Sequence, residues 1–123
     1  MTQYKKTKFT KKLQNAFNGV KIGFWEENNI KTQLLILFLV LSVSFYFKIS
    51  KIEFLVLILT SAIVFLAEYL NTSLENLCDH VTTEEHYQIK RVKDISAGSV
   101  LVVATFALLV GIIIFSPYLY YYL

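Results

Sequence analysis

The sequence predicts an all-α membrane protein, an N-terminal amphipathic helix on the bilayer surface followed by three transmembrane helices. Three observations carry this. Apolar residues make up 55% of the 123 residues and charged residues only 17%, against about 45–50% and about 25% in an ordinary soluble domain. The apolar residues are gathered into three blocks nearly free of charge, Thr32–Phe47, Phe54–Ala67 and Ile95–Leu123. The polar sequence left over is too short to cover three apolar helices in water. One proline and four glycines exclude a collagen-like chain, and the single Cys78 excludes an internal disulfide framework.

The N-terminal segment has no apolar core or small-residue cleavage site, so a signal peptide is not expected. It carries Lys5, Lys6, Lys8, Lys11, Lys12, Lys21 and Lys31, with Phe9, Leu13, Phe17, Val20 and Phe24 at steps of three and four. That pattern predicts a surface helix over about 8–29 with its lysines toward anionic headgroups. Gly19 and Gly23 either admit a close neighbour or merely weaken the helix.

A spanning helix needs about 20 apolar residues. The first block reaches that length by snorkelling of Lys31 and Lys48 at its ends, giving a span of about 31–48. The second block is short, so a crossing counted from Lys51 runs through Glu68 to about 70 and continues as helix to 79. The third span is placed at about 94–120, and all of these belong to one domain, 1–123. Ten of the twelve Lys and Arg residues fall on the N-terminal side of the predicted topology, which should be cytoplasmic. The C-terminal tyrosines suit the opposite interface.

The second spanning helix carries a polar stripe. Glu68, Asn71, Glu75 and Asp79 are spaced three, four and four, which puts them on one face over about 16 Å. A helix leaving the membrane explains Asp79 and Glu75 without any function. It does not explain Glu68, because an ionisable group at that depth costs a few kcal/mol and normally faces a protein interior. A carboxylate in a partly apolar setting takes up a proton more readily than one in water, which suits a general base where the polar end of a lipid would rest. Glu75 and Glu27 supply oxygen ligands of the kind Mg²⁺ takes, and Lys93 and Arg91 supply positive charge for phosphates. No phosphate-binding loop is present, since the only glycines are at 19, 23, 98 and 111. His80 and His86 are isolated and read as solvated loop residues.

These residues resemble a known family. The run from Glu68 through Asn71, Thr72 and Glu75 to Asp79 is similar to the signature of the prokaryotic diacylglycerol kinase and undecaprenol kinase family. Lys93-Asp94 followed by Ser96, Ala97 and Gly98 resembles its KD element opening the last helix. Glu84-Glu85-His86 resembles its loop motif, usually E-Y-H, with Glu85 the departure. Gly19 and Glu27-Asn28-Asn29 resemble its upstream G and E-x-N.

The resemblance implies an integral-membrane homotrimer in the cytoplasmic (inner) membrane, with active sites between subunits at the cytoplasmic interface. It implies transfer of the γ-phosphate of MgATP to a lipid hydroxyl, with Mg²⁺ as cofactor, ATP, lipid and bilayer as partners, and no nucleic acid. Glu68 is implied as proton acceptor, and Glu27 and Glu75 as metal ligands. Asn71, Asp79, Glu84, Glu85, His86, Lys93 and Asp94 fall in the nucleotide region, and Glu68 and Ala97 near the lipid. Lys8 or Lys11 stands in for a basic nucleotide contact. Diacylglycerol, giving phosphatidic acid, is the family-default substrate. Undecaprenol is the alternative, toward which Ala97-Gly98-Ser99-Val100 and Glu27-Asn28-Asn29 lean. A non-catalytic channel or transporter subunit is the competing class. Against it, the stripe reaches only half of the membrane and the third block has no polar face.

Overall fold

The computed structural model describes residues 8–82 and 84–123. Lys5 and Lys6 of the basic segment lie outside them. Four helices follow one another, α1 (Phe9–Glu26), α2 (Asn28–Phe47), α3 (Lys51–Val81) and α4 (Tyr87–Tyr122), with no strand among the described residues. The last three are each long and apolar enough to cross a membrane.

The break between α1 and α2 is a single residue. Glu27 is extended (φ −107°, ψ 115°), and the chain bends there without losing its bonds. Its N–H donates to the Gly23 carbonyl (3.2 Å) and its carbonyl accepts from the Lys31 N–H (3.2 Å). Ile30, one turn beyond, is wholly buried and anchors the elbow.

At the far end of α2 the chain reverses in three residues. Lys48 is left-handed (φ 50°, ψ 53°), and the bonds Lys48 N–H to Phe45 C=O and Ile49 N–H to Ser44 C=O (both 3.3 Å) close a Schellman motif. Ser50 then caps α3. Its hydroxyl accepts from the Glu53 N–H (3.2 Å), and the Glu53 carboxylate accepts from the Ser50 N–H (3.1 Å), a full capping box. Glu53 also accepts the Tyr118 hydroxyl at 2.6 Å, tying the start of α3 to the end of α4. Phe47 fills the corner against Phe115, Tyr118 and Tyr122, with ring centroids 5.6–6.3 Å apart.

The 31 residues of α3 make a rod of about 46 Å, well beyond the hydrocarbon thickness of about 30 Å. It therefore projects from the membrane at the end away from the α2–α3 turn. At that end α4 begins at Tyr87, ahead of the expected span at 94. Lys93-Asp94 thus lies in the second turn of α4 rather than at its mouth. The cause is local: residues 87–92 include Gln88, Lys90 and Arg91, good helix formers, and His86 supplies the extended N-cap.

The buried set is unusual for a protein in water. Beside Ile30, Leu57, Val64, Cys78 and Ile114 it holds Ser44, Glu68, Asn71, Thr72 and Ser96, while most large apolar side chains face outward. In hydrocarbon, burying apolar surface brings no hydrophobic gain, so polar side chains collect inside.

Candidate active site

The stripe on α3 is where the polar burial concentrates. Glu68 is 7% exposed, so position 68 faces protein rather than solvent. Its Oε2 is sealed from solvent with no hydrogen-bond partner, as is Oδ1 of Asn71. Leaving a buried polar atom unpaired costs about 1–3 kcal/mol, and here two such atoms lie within one turn of α3. Thr72 is buried beside them. The Asn71 amide donates to Glu75 Oε1 (3.3 Å), fixing the half-buried Glu75 carboxylate along the same face.

Glu27 reaches this region from the elbow. Its Oε1 accepts from Asn76 Nδ2 (3.4 Å), which places the elbow carboxylate against the residue following Glu75. Both hydrogen bonds use only Oε1, so the donor set is two carboxylates with oxygen still to offer. Among the described residues no group of three or more His, Cys, Asp or Glu converges on one point. Two carboxylates are too few for zinc, which takes three or four protein ligands, and are donors of the kind that Mg²⁺ takes, one or two together with substrate phosphates.

Nearer the end of α3 a cavity of about 810 Å³ opens between α3, the 82–86 loop and α4. Its lining includes Asp79, Glu84, Glu85, His86, Lys93 and Asp94, all expected at the nucleotide, together with Tyr87 and Lys90, which sequence reasoning missed. Two ion pairs organise it. Lys93 Nζ meets Asp79 Oδ1 at 2.7 Å, linking α3 to α4, and Lys90 Nζ meets Asp94 Oδ2 at 2.7 Å within α4. The hydrogen bond and charge of Asp79 hold the Lys93 ammonium above its ordinary range.

Toward the membrane a second cavity, about 680 Å³ and mostly apolar, runs between α2, α3 and α4. On α3 it extends from Leu57 to Val64 and Phe65. Glu68 comes one turn later, about 6 Å along the axis. Ala97, expected near the lipid, is exposed on α4 and lines neither cavity. The two glycines of α1 separate. Gly19 has no neighbour within 4 Å of a Cβ, whereas Gly23 is packed against Tyr69. Asn76 and Tyr69 were missed because both lie off the Glu68–Asp79 stripe and act on a helix 49 residues away. No local spacing encodes such a contact.

A three-span helical protein with a buried carboxylate between an apolar groove and a charged cavity belongs among membrane-embedded enzymes that act where lipid meets water. The prokaryotic diacylglycerol kinase family pattern matches residues 14–115, and the chain belongs to that family of lipid kinases. It is 34% identical over 99 residues to the undecaprenol kinase of Bacillus subtilis, covering 77% of this chain and 80% of the relative. It is 31% identical over 97 residues to a diacylglycerol kinase of Synechocystis sp., covering 78% of this chain but 55% of that longer relative. A diacylglycerol kinase of Haemophilus influenzae is 26% identical over 102 residues, 80% of this chain and 86% of the relative.

Proposed function

We propose that this kinase transfers the γ-phosphate of ATP to the hydroxyl of a membrane lipid, with Glu68 as the proton acceptor. One observation carries the assignment. A buried carboxylate with an unpartnered oxygen stands one turn beyond an apolar groove and on the helix face that leads to the charged cavity. The lipid hydroxyl oxygen attacks the γ-phosphorus while its proton passes to Glu68. The bond from the γ-phosphorus to the bridging oxygen breaks, and ADP departs. Positioning and charge neutralisation dominate such a transfer. Glu27 and Glu75 would hold Mg²⁺, which would supply positive charge to offset that on the phosphates. Asn71 orients Glu75. Asp79, Glu84, Glu85, His86, Lys93 and Asp94 cradle the nucleotide, and the cationic groups among them meet phosphate oxygens.

Of the lipid alcohols named for the relatives, undecaprenol is the better reading here. The relative bearing that name is the most similar of the three compared, and the residues at 27–29 and 97–100 lean the same way. Diacylglycerol is the second reading, supported by the names of the other two. The polar end is cytoplasmic, since ten of the twelve basic residues collect there, and the membrane is the inner one. A homotrimer completes the assembly. Leu70, Leu74, Leu77 and Val81 stay 38–63% exposed along a segment of α3 that runs out of the bilayer, where a second copy rather than lipid has to cover them. The test is direct. Purified protein in bilayers receives labelled ATP, Mg²⁺ and either lipid, and the extracted lipid is counted. Labelled undecaprenyl phosphate is expected. No labelled lipid from either alcohol, with cation flux in vesicles, would replace the kinase by a channel.

A further inference from the structure

The sole tyrosine of α3 follows Glu68 and leaves the polar stripe to contact α1. Its hydroxyl donates to the Val20 carbonyl at 3.0 Å. Its ring occupies the space above Gly23, where a Cβ would meet Cε1 and would stand 2.7 Å from both Cζ and the hydroxyl oxygen. Atoms that close do not coexist, so glycine at 23 is what lets the ring and the hydroxyl reach α1. A second link to α3 comes from the elbow, through the Asn76–Glu27 hydrogen bond. Val20 and Glu27 are seven residues apart, and so are Tyr69 and Asn76, about 10 Å along each helix. The two contacts therefore agree in register.

From this geometry we infer that Tyr69 and Gly23 form a clasp that positions the Glu27 carboxylate beside Glu75. α1 joins the spanning helices through the one extended residue, Glu27, so its angle to them is set at that residue and by its contacts with α3. Among the described residues the hydrogen bond of α1 itself to another part of the fold, beyond the elbow, is the one from Tyr69, and the elbow adds the one from Asn76. The Asn76 bond is long at 3.4 Å and uses the very carboxylate that has to bind metal. Only the Tyr69 bond holds α1 independently of the metal site. Tyr69 is a positioning residue that touches neither substrate nor metal. The inference rests on the assignment of Glu27 and Glu75 as metal ligands and adds what brings them together.

The experiment uses the full chain in nanodiscs, with Tyr69→Phe, Gly23→Ala and the double variant. Amide hydrogen exchange over residues 18–27 reads the hold on α1. Mn²⁺ affinity, read by EPR with a non-hydrolysable ATP analogue, and the Mg²⁺ activation constant read the metal site. Tyr69→Phe keeps the ring and removes one neutral hydrogen bond, so both metal constants should weaken by roughly two- to tenfold. Exchange over 18–27 should rise by a similar factor, while kcat at saturating Mg²⁺ and the lipid KM stay as they were. Gly23→Ala drives the ring off Val20 and should do the same, and the double variant should be no worse than Gly23→Ala, because both break one contact. Unchanged exchange in both single variants overturns the clasp. Faster exchange with unmoved Mn²⁺ and Mg²⁺ constants overturns its positioning role. If the unaltered protein phosphorylates neither lipid, the kinase reading fails, while the exchange and Mn²⁺ measurements still decide the clasp.

Discussion

Replacing Glu68 by glutamine separates function from stability at one position. Glutamine keeps the shape of the side chain and cannot accept the proton of an attacking hydroxyl. A positioned general base contributes about 10²–10⁴ in rate, or about 2.7–5.5 kcal/mol of barrier at 1.36 kcal/mol per decade. Glu68→Gln should lower kcat by that factor and leave the KM for MgATP near its original value, since the charged cavity proposed for the nucleotide starts about 16 Å away along α3 at Asp79. The structure also fixes the sign of the stability change. Glu68 Oε2 is buried without a partner, and a buried polar atom left without a hydrogen bond is costly. The glutamine amide supplies an N–H group, and Asn71 Oδ1, itself unpartnered, lies three residues on along the same face. Relief of such unpaired groups is worth about 1–3 kcal/mol. The variant should therefore unfold at higher temperature in detergent while barely turning over. Radiolabelled lipid assays and thermal unfolding on one preparation check both halves. A rate within tenfold of the unaltered protein would refute the proton-acceptor assignment, and a fall in unfolding temperature would refute the stability argument from the unpaired oxygens.

Glu75→Gln should raise the Mg²⁺ concentration needed for half-maximal activity more than it changes the lipid KM, as metal titrations of activity would show. Lys93→Ala removes a charge from the cavity proposed for the nucleotide and should raise the ATP KM by on the order of tenfold, with little effect on folding because the Asp79 pair is solvent-exposed. Asp79 raises the Lys93 pKa, so the small stabilisation from the pair is complete at neutral pH and fades as pH climbs through that raised value. Alkaline unfolding curves of Lys93→Ala should lack this step. Lys48→Gly relieves a left-handed backbone (φ 50°) that costs an L-residue about 1–2 kcal/mol. Thermal unfolding should show a gain, with kinetics unaltered.

The parts of this fold legible in the sequence are those written at helical period. The three apolar blocks announce α2, α3 and α4 because hydrocarbon requires runs of about 20 apolar residues. The Glu68–Asn71–Glu75–Asp79 stripe announces the buried face because polar residues three and four apart share one side of a helix. What stayed hidden depends on pairs far apart in the chain. Tyr69 reads as one more aromatic near the membrane boundary until its hydroxyl is seen on Val20. Glu53 reads as the start of a span, yet it both caps α3 and receives Tyr118 from 65 residues away. Lys90 and Asp94 are i,i+4 partners, a readable spacing, but only if the helix starts at Tyr87.

The arrangement on α3 uses the helix as a ruler. The apolar groove ends at Val64 and Phe65, the buried carboxylate follows at 68, the half-buried one at 75 and the exposed one at 79. Each step of four residues advances about 6 Å, so side chains on one face meet successively wetter surroundings without any loop to place them. A lipid hydroxyl held in hydrocarbon and a nucleotide held in water cannot share one pocket of uniform polarity, because desolvation would exclude one or the other. A graded face solves this only if α3 crosses the boundary as a single rigid element. The capping box at Ser50, the Tyr118 bond at one end and the Lys93–Asp79 pair at the other all fix α3 along its axis. A shift of one turn would carry Glu68 either deeper into hydrocarbon, where an ionisable group costs a few kcal/mol or more, or into bulk water, away from the end of the apolar groove.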